Sequence, residues 1–441
     1  MKQFKKKIEA LTVLMFTMPM TIFAQGATPA INSGNTAWLT MATVLVMFMT
    51  IPGLALFYGG LVRQKNVLSI LMQCLMCTAV VSLLWVFFGY SFVFGKSLSG
   101  TLPGFFIGGF DKLFLHGVTT SSVVTPANVP EISFVLFQCM FAVITPALII
   151  GAFAERIRFS GFLLFTILWS IFAYYPMAHF VWGGGWMQQL GVIDFAGGTV
   201  VHINAGISAL MMALLLGKRR DYRPGKPIPG HSVPFVFIGA ACLWLGWFGF
   251  NAGSGLTADG LDANAFLVTH VATCVAALTW MTIDWIFNRK PTTVGVCTGA
   301  VAGLVAITPA SGSVGLLGAC AIGLATGIVC FFMVAVVKTK FKYDDSLDAF
   351  GVHGIGGIVG SILTGVFATK AVTGGVDGAL YGNWHQLGVQ LAATLFSIVY
   401  SAVITFILFK IVDKLVGIRV APREEEEGVD IYEHGESAYN Y

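Results

Sequence analysis

The chain alternates long apolar segments with short connections that carry most of its charged residues. A helix needs about 17–25 apolar residues to cross the hydrocarbon core of a bilayer, and eleven segments have roughly that length or more. They cover approximately residues 36–57, 67–94, 131–153, 158–176, 198–217, 232–250, 264–287, 292–309, 313–337, 348–369 and 383–412. A backbone inside hydrocarbon has to satisfy its own hydrogen bonds, so these segments are expected to be helices. The pattern predicts an all-α membrane protein with eleven transmembrane helices, the last of them long.

The N-terminus has the layout of a cleaved secretory signal peptide. Four lysines precede an apolar run from Leu11 to Ala24, and the small residues Gly26 and Ala27 follow. The run is too short to span a bilayer comfortably, which distinguishes a signal peptide from a transmembrane helix. We therefore expect residues 1–24 to be removed, with a retained short anchor as the alternative. In both cases the next segment starts on the outer side.

The positive charges fix the expected orientation. Of the 25 Lys and Arg residues, four belong to the N-terminal segment, 18 fall in alternate connections and in the C-terminal tail, and three fall in the others. The three are Lys96, Lys112 and Lys370. Because Lys and Arg concentrate in cytoplasmic loops, this asymmetry predicts an outer N-terminus, an inner C-terminus and an odd number of spans.

Composition narrows the class of protein further. Charged residues make up 10% of the chain and hydrophobic residues 56%, whereas soluble domains carry about 25% charged residues. This excludes a soluble enzyme, a nucleic-acid-binding protein and a disordered protein. The 52 glycines are typical of closely packed membrane helices. Most of the eight cysteines lie in apolar spans without other ligand residues, so we expect no metal site and no cofactor.

Two histidines lie where ionisable side chains are expensive. His202 is early in the fifth span and His353 early in the tenth, and each follows an aspartate, Asp194 or Asp345, by eight residues. A lone histidine there would normally be a packing residue bonded to a backbone carbonyl. Two copies separated by five spans enter the membrane from opposite faces, which indicates an inverted five-plus-five repeat with an additional eleventh helix. We expect the two imidazoles to meet near the centre of the protein.

An imidazole pair in an apolar interior suits a limited range of chemistry. Each ring can donate and accept a hydrogen bond, but two rings in contact cannot both be charged cheaply. The residues leave three uses open: binding a small polar neutral molecule, relaying a proton, or holding a metal. No carboxylate or cysteine recurs with spacing that would complete a metal shell, which favours the first two.

Several long motifs resemble those of the ammonium transporter (Amt/Rh/methylammonium permease) family, most closely its bacterial Amt branch. They are Phe57-Tyr58-Gly59-Gly60, Ala154-Glu155-Arg156, Trp182-Gly183-Gly184-Gly185, Asp194-Phe195-Ala196-Gly197-Gly198-Thr199-Val200-Val201-His202-Ile203-Asn204-Ala205-Gly206, Gly246-Trp247-Phe248-Gly249-Phe250-Asn251-Ala252-Gly253-Ser254 and Phe350-Gly351-Val352-His353-Gly354. The resemblance covers essentially the whole mature chain. It implies an ammonium transporter membrane domain over residues 25–416 and a cytoplasmic regulatory tail over residues 417–441.

The resemblance also implies roles for individual residues. Phe141, Trp182 and Ser254 match the outer vestibule that binds the ammonium ion. Phe141 and Phe250 match the stacked phenyl rings that gate the pore. Without the resemblance, Phe141 and Trp182 would be interpreted as core or lipid-interface aromatics.

Three further residues match functional positions in the pore. His202 and His353 match the family's paired histidines that line the lumen. Asp194 matches an aspartate that supports the vestibule and stabilises positive charge, with a part in deprotonation. No metal or cofactor position is carried over.

The function implied by the resemblance is uptake of ammonium through deprotonation and passage of ammonia, with or without a relayed proton. Methylammonium is a further candidate substrate. The alternatives are a passive neutral-gas channel of the Rh type and an ammonium sensor. An enzyme is disfavoured because no nucleophile–base set lies at membrane depth.

Assembly and location follow from the same resemblance. The family implies a homotrimer with one pore per subunit, embedded in the lipid bilayer of a bacterial inner membrane. The tail, with its acidic run from Glu424 to Glu427, resembles tails that a P-II-type nitrogen-regulatory protein binds. No nucleic-acid partner is expected.

Overall fold

The structure, a computed structural model, describes residues 30–226 and 228–439, without the side chain of Thr373. The expected signal peptide, residues 1–24, lies outside the described residues. Within the described residues the protein is mainly helical, and the strands β1 (Val123–Val124) and β2 (Val129–Pro130) form a small antiparallel hairpin between two long helices. The all-α membrane fold class is confirmed.

Eleven main helices are numbered here in chain order. They are α1 (Ser33–Leu61), α2 (Gln64–Phe94), α3 (Glu131–Phe153), α4 (Phe159–Leu190), α5 (Gly198–Leu216), α6 (Val233–Gly255), α7 (Gly260–Asn288), α8 (Thr293–Ile307), α9 (Leu316–Phe341), α10 (Phe350–Phe367) and α11 (Trp384–Val416). Within the described ranges, ten are long and apolar enough to cross a membrane, and α8, with 15 residues, is shorter. Each predicted segment overlaps one of these helices. The number of crossings and the orientation remain predictions.

Helix α4 continues well beyond the predicted end at residue 176. A π-helical segment, Ser170–Tyr174, precedes Pro176, which then lies in the first turn of the next α-helical stretch. A proline inside a helix cannot donate an N–H and its ring crowds the preceding turn, and the π-helical turn just before Pro176 is the local change in hydrogen bonding that accommodates it. The helix therefore continues to Trp182 and is interrupted only at residues 183–185.

Side-chain caps set the start of several helices. The Ser232 Oγ accepts from the Phe235 N–H at the start of α6, and the Thr292 Oγ1 accepts from the Gly295 N–H at the start of α8. The Asp259 Oδ1 accepts from the Leu261 N–H at 2.9 Å, which caps α7. Such caps satisfy N–H groups that have no partner within the helix.

Helices α5 and α10 cross at glycines, and this crossing positions the centre of the protein. A Cβ atom added to Gly206 would lie 2.1 Å from the backbone nitrogen of Gly354. A Cβ atom on Gly357 would lie 3.0 Å from the Cβ atom of His202. Only residues without a side chain allow the two backbones to approach so closely. His202 and His353 lie next to this contact, one on each helix.

A buried charged cluster, consisting of Arg63, Glu155, Arg219 and Asp344, holds the ends of several helices together. The Arg219 guanidinium donates to Glu155 at 2.9 Å and to Asp344 at 2.8 Å. The Arg63 Nε donates to the other carboxylate oxygen of Glu155, Oε1, at 2.9 Å. The loops after α1, α3, α5 and α9 are thereby joined by charge-assisted hydrogen bonds, which are stronger than neutral ones.

Arg156, fully buried beside this cluster, binds backbone carbonyls. Its guanidinium donates to the carbonyl oxygen of Ala152 at 2.9 Å, of Gly217 at 3.0 Å and of Asp344 at 2.6 Å. These carbonyls lie at the end of α3, just after α5 and just before α10. A single cation therefore satisfies acceptors from both predicted halves of the repeat.

The tail folds back on the same surface through two short helices, α12 (Pro422–Glu427) and α13 (Val429–His434). The Asp430 carboxylate accepts from the backbone N–H groups of Leu68 and Ser69 at 2.9 and 2.8 Å. Glu425 pairs with Arg419 at 2.8 Å. The acidic tail is thus anchored to the first turn of α2 and to the chain that follows α11.

Gly206→Ala is expected to lower the melting temperature of the detergent-solubilised protein. The added methyl group would overlap the backbone of Gly354, and overpacking of this kind costs about 1–3 kcal/mol. The matched control is Gly388→Ala on α11, where an added Cβ atom meets nothing within 4 Å. The control should be neutral or stabilising, because alanine favours a helix over glycine. Equal melting temperatures for the two variants would contradict the close crossing.

Glu155→Gln is expected to destabilise the protein in a pH-dependent way. Burial alone would raise the pKa of the Glu155 carboxyl, but Arg219 and Arg63 lower it to about 2, below its ordinary 4.5. The ionised carboxylate therefore stabilises the fold above pH 4.5, and this contribution is lost as the pH falls toward 2. The difference in melting temperature between wild type and variant should be large at pH 7, since breaking a buried pair costs about 3–5 kcal/mol.

The same difference should shrink between pH 4.5 and 2, as the wild-type carboxyl gains a proton. Glu426→Gln is the control, because Glu426 forms an exposed pair with Arg220 and exposed pairs contribute little. A difference between wild type and Glu155→Gln that stays constant with pH would argue against the charged pairing.

Candidate functional site

The two intramembrane histidines lie side by side. Their Nδ1 atoms are 3.4 Å apart, and their ring centroids are 5.4 Å apart with the planes 19° from parallel. His202 is 1% exposed and His353 is 3% exposed. A hydrogen bond between two Nδ1 atoms requires one ring to donate and the other to accept, so the pair shares one proton at this contact. The structure brings together two residues that are 151 positions apart in the sequence.

Asp194 holds the start of α5, and with it His202. One carboxylate oxygen accepts from the backbone N–H of Gly197 at 3.0 Å and from that of Gly198. The other accepts from the N–H of Thr199 at 2.8 Å, from its hydroxyl and from the N–H of Val200 at 3.2 Å. The carboxylate therefore satisfies the first N–H groups of a helix that begins inside the protein.

The electrostatics of Asp194 set two effects against each other. Burial raises the pKa of the Asp194 carboxyl, and the hydrogen bonds from Thr199, Val200 and Gly198 act in the opposite direction. The net pKa is above the ordinary value of 3.8. Asp345 has the same position before α10, where it accepts from the N–H groups of Ala349 and Phe350 at 3.1 and 2.8 Å.

A narrow cavity runs along the two imidazoles. It offers about 10 Å³ to the centre of a water-sized sphere, which is about the minimum that holds one water molecule. Its walls are otherwise apolar, and the set of lining residues is Met49, Leu54, Phe57, Ile144, Leu148, Val201, His202, Leu243, Trp247, Phe250, Val301 and His353. Among these, the His202 Nε2 has no hydrogen-bond partner within the described residues. The cavity thus suits a single small molecule that can hydrogen-bond to an imidazole.

Two phenyl rings close one end of this cavity. The centroids of Phe141 and Phe250 are 4.2 Å apart with the planes at 24°, which is a stacked arrangement. The ring of Phe250 lies 6.0 Å from the ring of His202. The aromatic pair therefore lies next to the histidines, with Phe250 on the side of His202.

Trp182 and Ser254 contact the two residues of the phenyl pair. The Trp182 ring meets the edge of Phe141 at 5.8 Å, and its Nε1 donates to the carbonyl oxygen of Asp194 at 2.9 Å. The Ser254 hydroxyl donates to the carbonyl oxygen of Phe250 at 2.8 Å, which leaves its lone pairs free to accept. Each predicted site residue therefore falls into one sequence of contacts that leads to the histidine pair.

Trp247 is part of the site although the sequence pattern predicted no role for it. Its ring stacks on His202 at 5.4 Å and 21°, and its Nε1 donates to Thr308 Oγ1 at 2.9 Å. The signal was available, because Trp247 precedes Phe250 by three residues and therefore shares a face of α6 with it. The apolar wall residues carry no such signal, since any buried aliphatic side chain has the same sequence appearance.

No group of three or more His, Cys, Asp or Glu side chains within the described ranges is placed to hold a metal ion. The chemistry available at the site is therefore that of imidazoles, aromatic faces, one hydroxyl and one capping carboxylate.

Comparison with known proteins relates the chain to one family along almost its full length. The model of the Ammonium Transporter Family matches residues 37–439. An ammonium transporter of Aquifex aeolicus is 49% identical over 418 residues, which cover 95% of this chain and 96% of that protein. An ammonium transporter of Bacillus subtilis is 46% identical and covers 92% of this chain and 98% of its own length.

Solved structures show the same relationship. The crystal structure of Saccharomyces cerevisiae Mep2 superposes with a TM-score of 0.83 at 36% identity, covering 89% of this chain and 88% of that one. A structure described as a sensor Amt protein has a TM-score of 0.83 at 32% identity, covering 91% of this chain and 98% of that one.

Asp194→Ala is expected to lower the melting temperature, because it removes every acceptor for the first N–H groups of α5. Loss of a helix N-cap typically costs about 0.5–2 kcal/mol. Thr199→Val is the matched control, since it removes the hydroxyl donor and keeps the backbone N–H bonds. It should show a smaller decrease. A Thr199→Val effect equal to that of Asp194→Ala would show that the backbone bonds to Asp194 contribute little.

Proposed function

This chain belongs to the Ammonium Transporter Family, and on that premise we propose how it moves ammonium across a membrane. The ion is recruited at an outer vestibule, loses one proton, and crosses as ammonia through the cavity beside His202 and His353, with or without a relayed proton. The observation that carries this proposal is the contact of two buried imidazoles, 3.4 Å apart, in an otherwise apolar conduit.

Recruitment is assigned to Phe141, Trp182 and Ser254. Aromatic faces attract a cation by about 0.5–2 kcal/mol, and the perpendicular rings of Phe141 and Trp182 offer two such faces. The Ser254 oxygen keeps lone pairs to accept an N–H bond, because its hydrogen is directed at the Phe250 carbonyl. These groups favour a cation with N–H donors over a bare alkali ion.

Phe141 and Phe250 act as the gate. At a centroid distance of 4.2 Å, the two stacked rings leave no room for a hydrated ion between them. Passage therefore requires the rings to turn, and it brings the substrate directly onto His202, 6.0 Å from Phe250. The gate removes the hydration shell before the substrate reaches the imidazoles.

Selectivity follows from the cost of charge in a dry conduit. An unpaired charge in an apolar interior costs several kcal/mol or more. Ammonium avoids this cost by breaking one N–H bond and continuing as neutral ammonia, while its proton passes to water in the outer vestibule or, in the version with a relay, to the imidazole pair. Potassium, which has a similar size and the same charge, has no proton to lose. The same cavity therefore passes one ion's neutral form and excludes the other ion.

The histidine pair receives the neutral molecule or the proton. The free Nε2 of His202 can hydrogen-bond ammonia, and the contact between the Nδ1 atoms provides a path along which a proton can be passed. Asp194 acts on the vestibule side of the gate. Its backbone carbonyl holds the Trp182 indole, and its carboxylate stabilises positive charge and supports deprotonation.

Two alternatives use the same site. A passive neutral-gas channel of the Rh type would conduct ammonia without net current, and an ammonium sensor would couple occupancy to a partner. The similarity to a structure described as a sensor Amt protein supports the ammonium sensor as an alternative. Ammonium-driven net current in proteoliposomes would identify the version of the main proposal in which the proton is relayed, and it would exclude both alternatives.

We also assign an assembly, a location and a partner. The chain forms a homotrimer in a bacterial inner membrane, with residues 1–24 removed as a signal peptide. Residues 417–441 form a regulatory tail that a P-II-type protein binds. The anchoring of this tail to α2 through Asp430 supports a coupling between tail and membrane domain.

His202→Ala and His353→Ala are expected to reduce ammonium current in proteoliposomes about tenfold or more, because removing a proton-transfer group typically costs that much. A potassium current should emerge if the enlarged cavity admits water. Ammonium and potassium pulses on a solid-supported membrane measure both. The control is His385→Ala, an exposed position in the first turn of α11.

Each variant is first checked for a single elution peak in detergent, so that a loss of current is not a loss of folding. Full ammonium current with unchanged preference over potassium in both variants would remove the histidines from the mechanism.

A further inference from the structure

A buried carboxylate near the outer vestibule lacks the partners that such a group needs. Asp262, in the first turn of α7, is 6% exposed. Neither of its carboxylate oxygens has a hydrogen-bond partner within the described residues, and none of the ion pairs found there includes it. Leaving a buried charge uncompensated costs several kcal/mol. The position therefore requires either a proton or a cation from outside.

Capping of α7 does not account for Asp262. An acidic residue in a first turn often accepts the free N–H groups of its helix, but here Asp259 does so, binding the Leu261 N–H at 2.9 Å. The Asp259 carboxylate also adds a second negative charge close to Asp262. The neighbourhood thus favours a positive ligand and offers no structural use for the second carboxylate.

The Asp262 carboxylate faces the vestibule segment. A Cβ atom on Gly255 would lie 2.1 Å from Asp262 Oδ1 and 3.7 Å from the ring of Phe195. Gly255 directly follows Ser254, so the carboxylate lies against the segment that carries this vestibule residue. The missing side chain of Gly255 is what leaves room for it.

Trp38 on α1 completes the surroundings. Its indole nitrogen is buried, interacts with the Asp262 carboxylate and has no hydrogen bond of adequate geometry. The loop between α6 and α7 is fixed against α1 by Asn35, whose Oδ1 accepts from the Ala258 N–H at 3.0 Å. The indole N–H therefore offsets only part of the carboxylate's charge, and the rest of that charge is left for a cation.

We propose that Asp262, with Trp38 and the backbone at Gly255, forms a second cation subsite that holds an ammonium-sized monovalent ion behind Ser254 before the ion reaches the phenyl gate. This inference rests on the proposed function and adds a residue that determines the apparent affinity for ammonium. The subsite raises the local concentration of the ion and takes no part in the passage through the gate.

The first test measures ammonium-dependent current for wild type, Asp262→Asn and Asp377→Asn. Asp262→Asn keeps the shape of the side chain and removes its charge, so the KM for ammonium should rise about tenfold. The maximal current and the preference over potassium should stay the same. Asp377→Asn removes one negative charge from the loop between α10 and α11, where Asp377 pairs with Lys370, and should change KM by less than about twofold.

An unchanged KM in Asp262→Asn would overturn the subsite and identify Asp262 as a carboxyl that stays neutral. A lower maximal current with unchanged KM would overturn it as well. If Asp262→Asn does not elute as a single peak in detergent, Gly255→Ala replaces it, because the added Cβ would displace Oδ1 and should also raise KM.

A second test uses the wild-type protein and does not depend on transport. Rubidium resembles ammonium in size and gives anomalous scattering, so crystals soaked in rubidium chloride should show a peak beside the Asp262 carboxylate. Absence of that peak, or a side chain from a second copy of the chain in its place, would overturn the subsite. A wild type that transports neither ammonium nor ammonia would instead contradict the proposed function, and the rubidium experiment would still decide this inference.

Discussion

The close contact of two helix backbones at Gly206 and Gly354 is the constraint on which the centre of the protein depends. Because a Cβ atom at Gly206 would overlap the Gly354 backbone, α5 and α10 approach to a distance that larger residues forbid. His202 and His353 project from the segments just before this contact. Their pairing is therefore a consequence of backbone packing, and the imidazoles need no direct attraction to find each other.

A second constraint is that polar groups inside the apolar bundle need partners. The starts of α5 and α10 lie inside the protein, and Asp194 and Asp345 supply the acceptors that water would otherwise provide. This explains why each histidine follows an aspartate by eight residues, because the aspartate caps the start of the helix that carries the histidine. Buried polar atoms without hydrogen-bond partners are therefore informative. Those on His202 and Asp262 are the atoms at which we propose that a ligand binds.

The sequence predicts the helices well because their apolar runs are long and the bilayer fixes their length. Helix α3 occupies residues 131–153, as predicted, whereas α4 exceeds its predicted end because Pro176 follows a π-helical turn. The vestibule and gate residues came from a family resemblance, since an aromatic residue in an apolar helix has no distinctive pattern of its own. Trp247 was accessible from its spacing to Phe250. Asp262 was not, because only coordinates reveal that a carboxylate lacks a partner.

Arg156 binds carbonyl groups at the end of α3, after α5 and before α10. Its hydrogen bonds link the two predicted halves of the bundle. Transporters built from inverted repeats commonly alternate access by rocking one half against the other. Such rocking would break the hydrogen bonds between this guanidinium and three buried carbonyl groups, which is costly because buried acceptors need donors. On the proposed function, the scaffold is therefore expected to stay fixed during turnover while single side chains move, so that the molecule works as a pore.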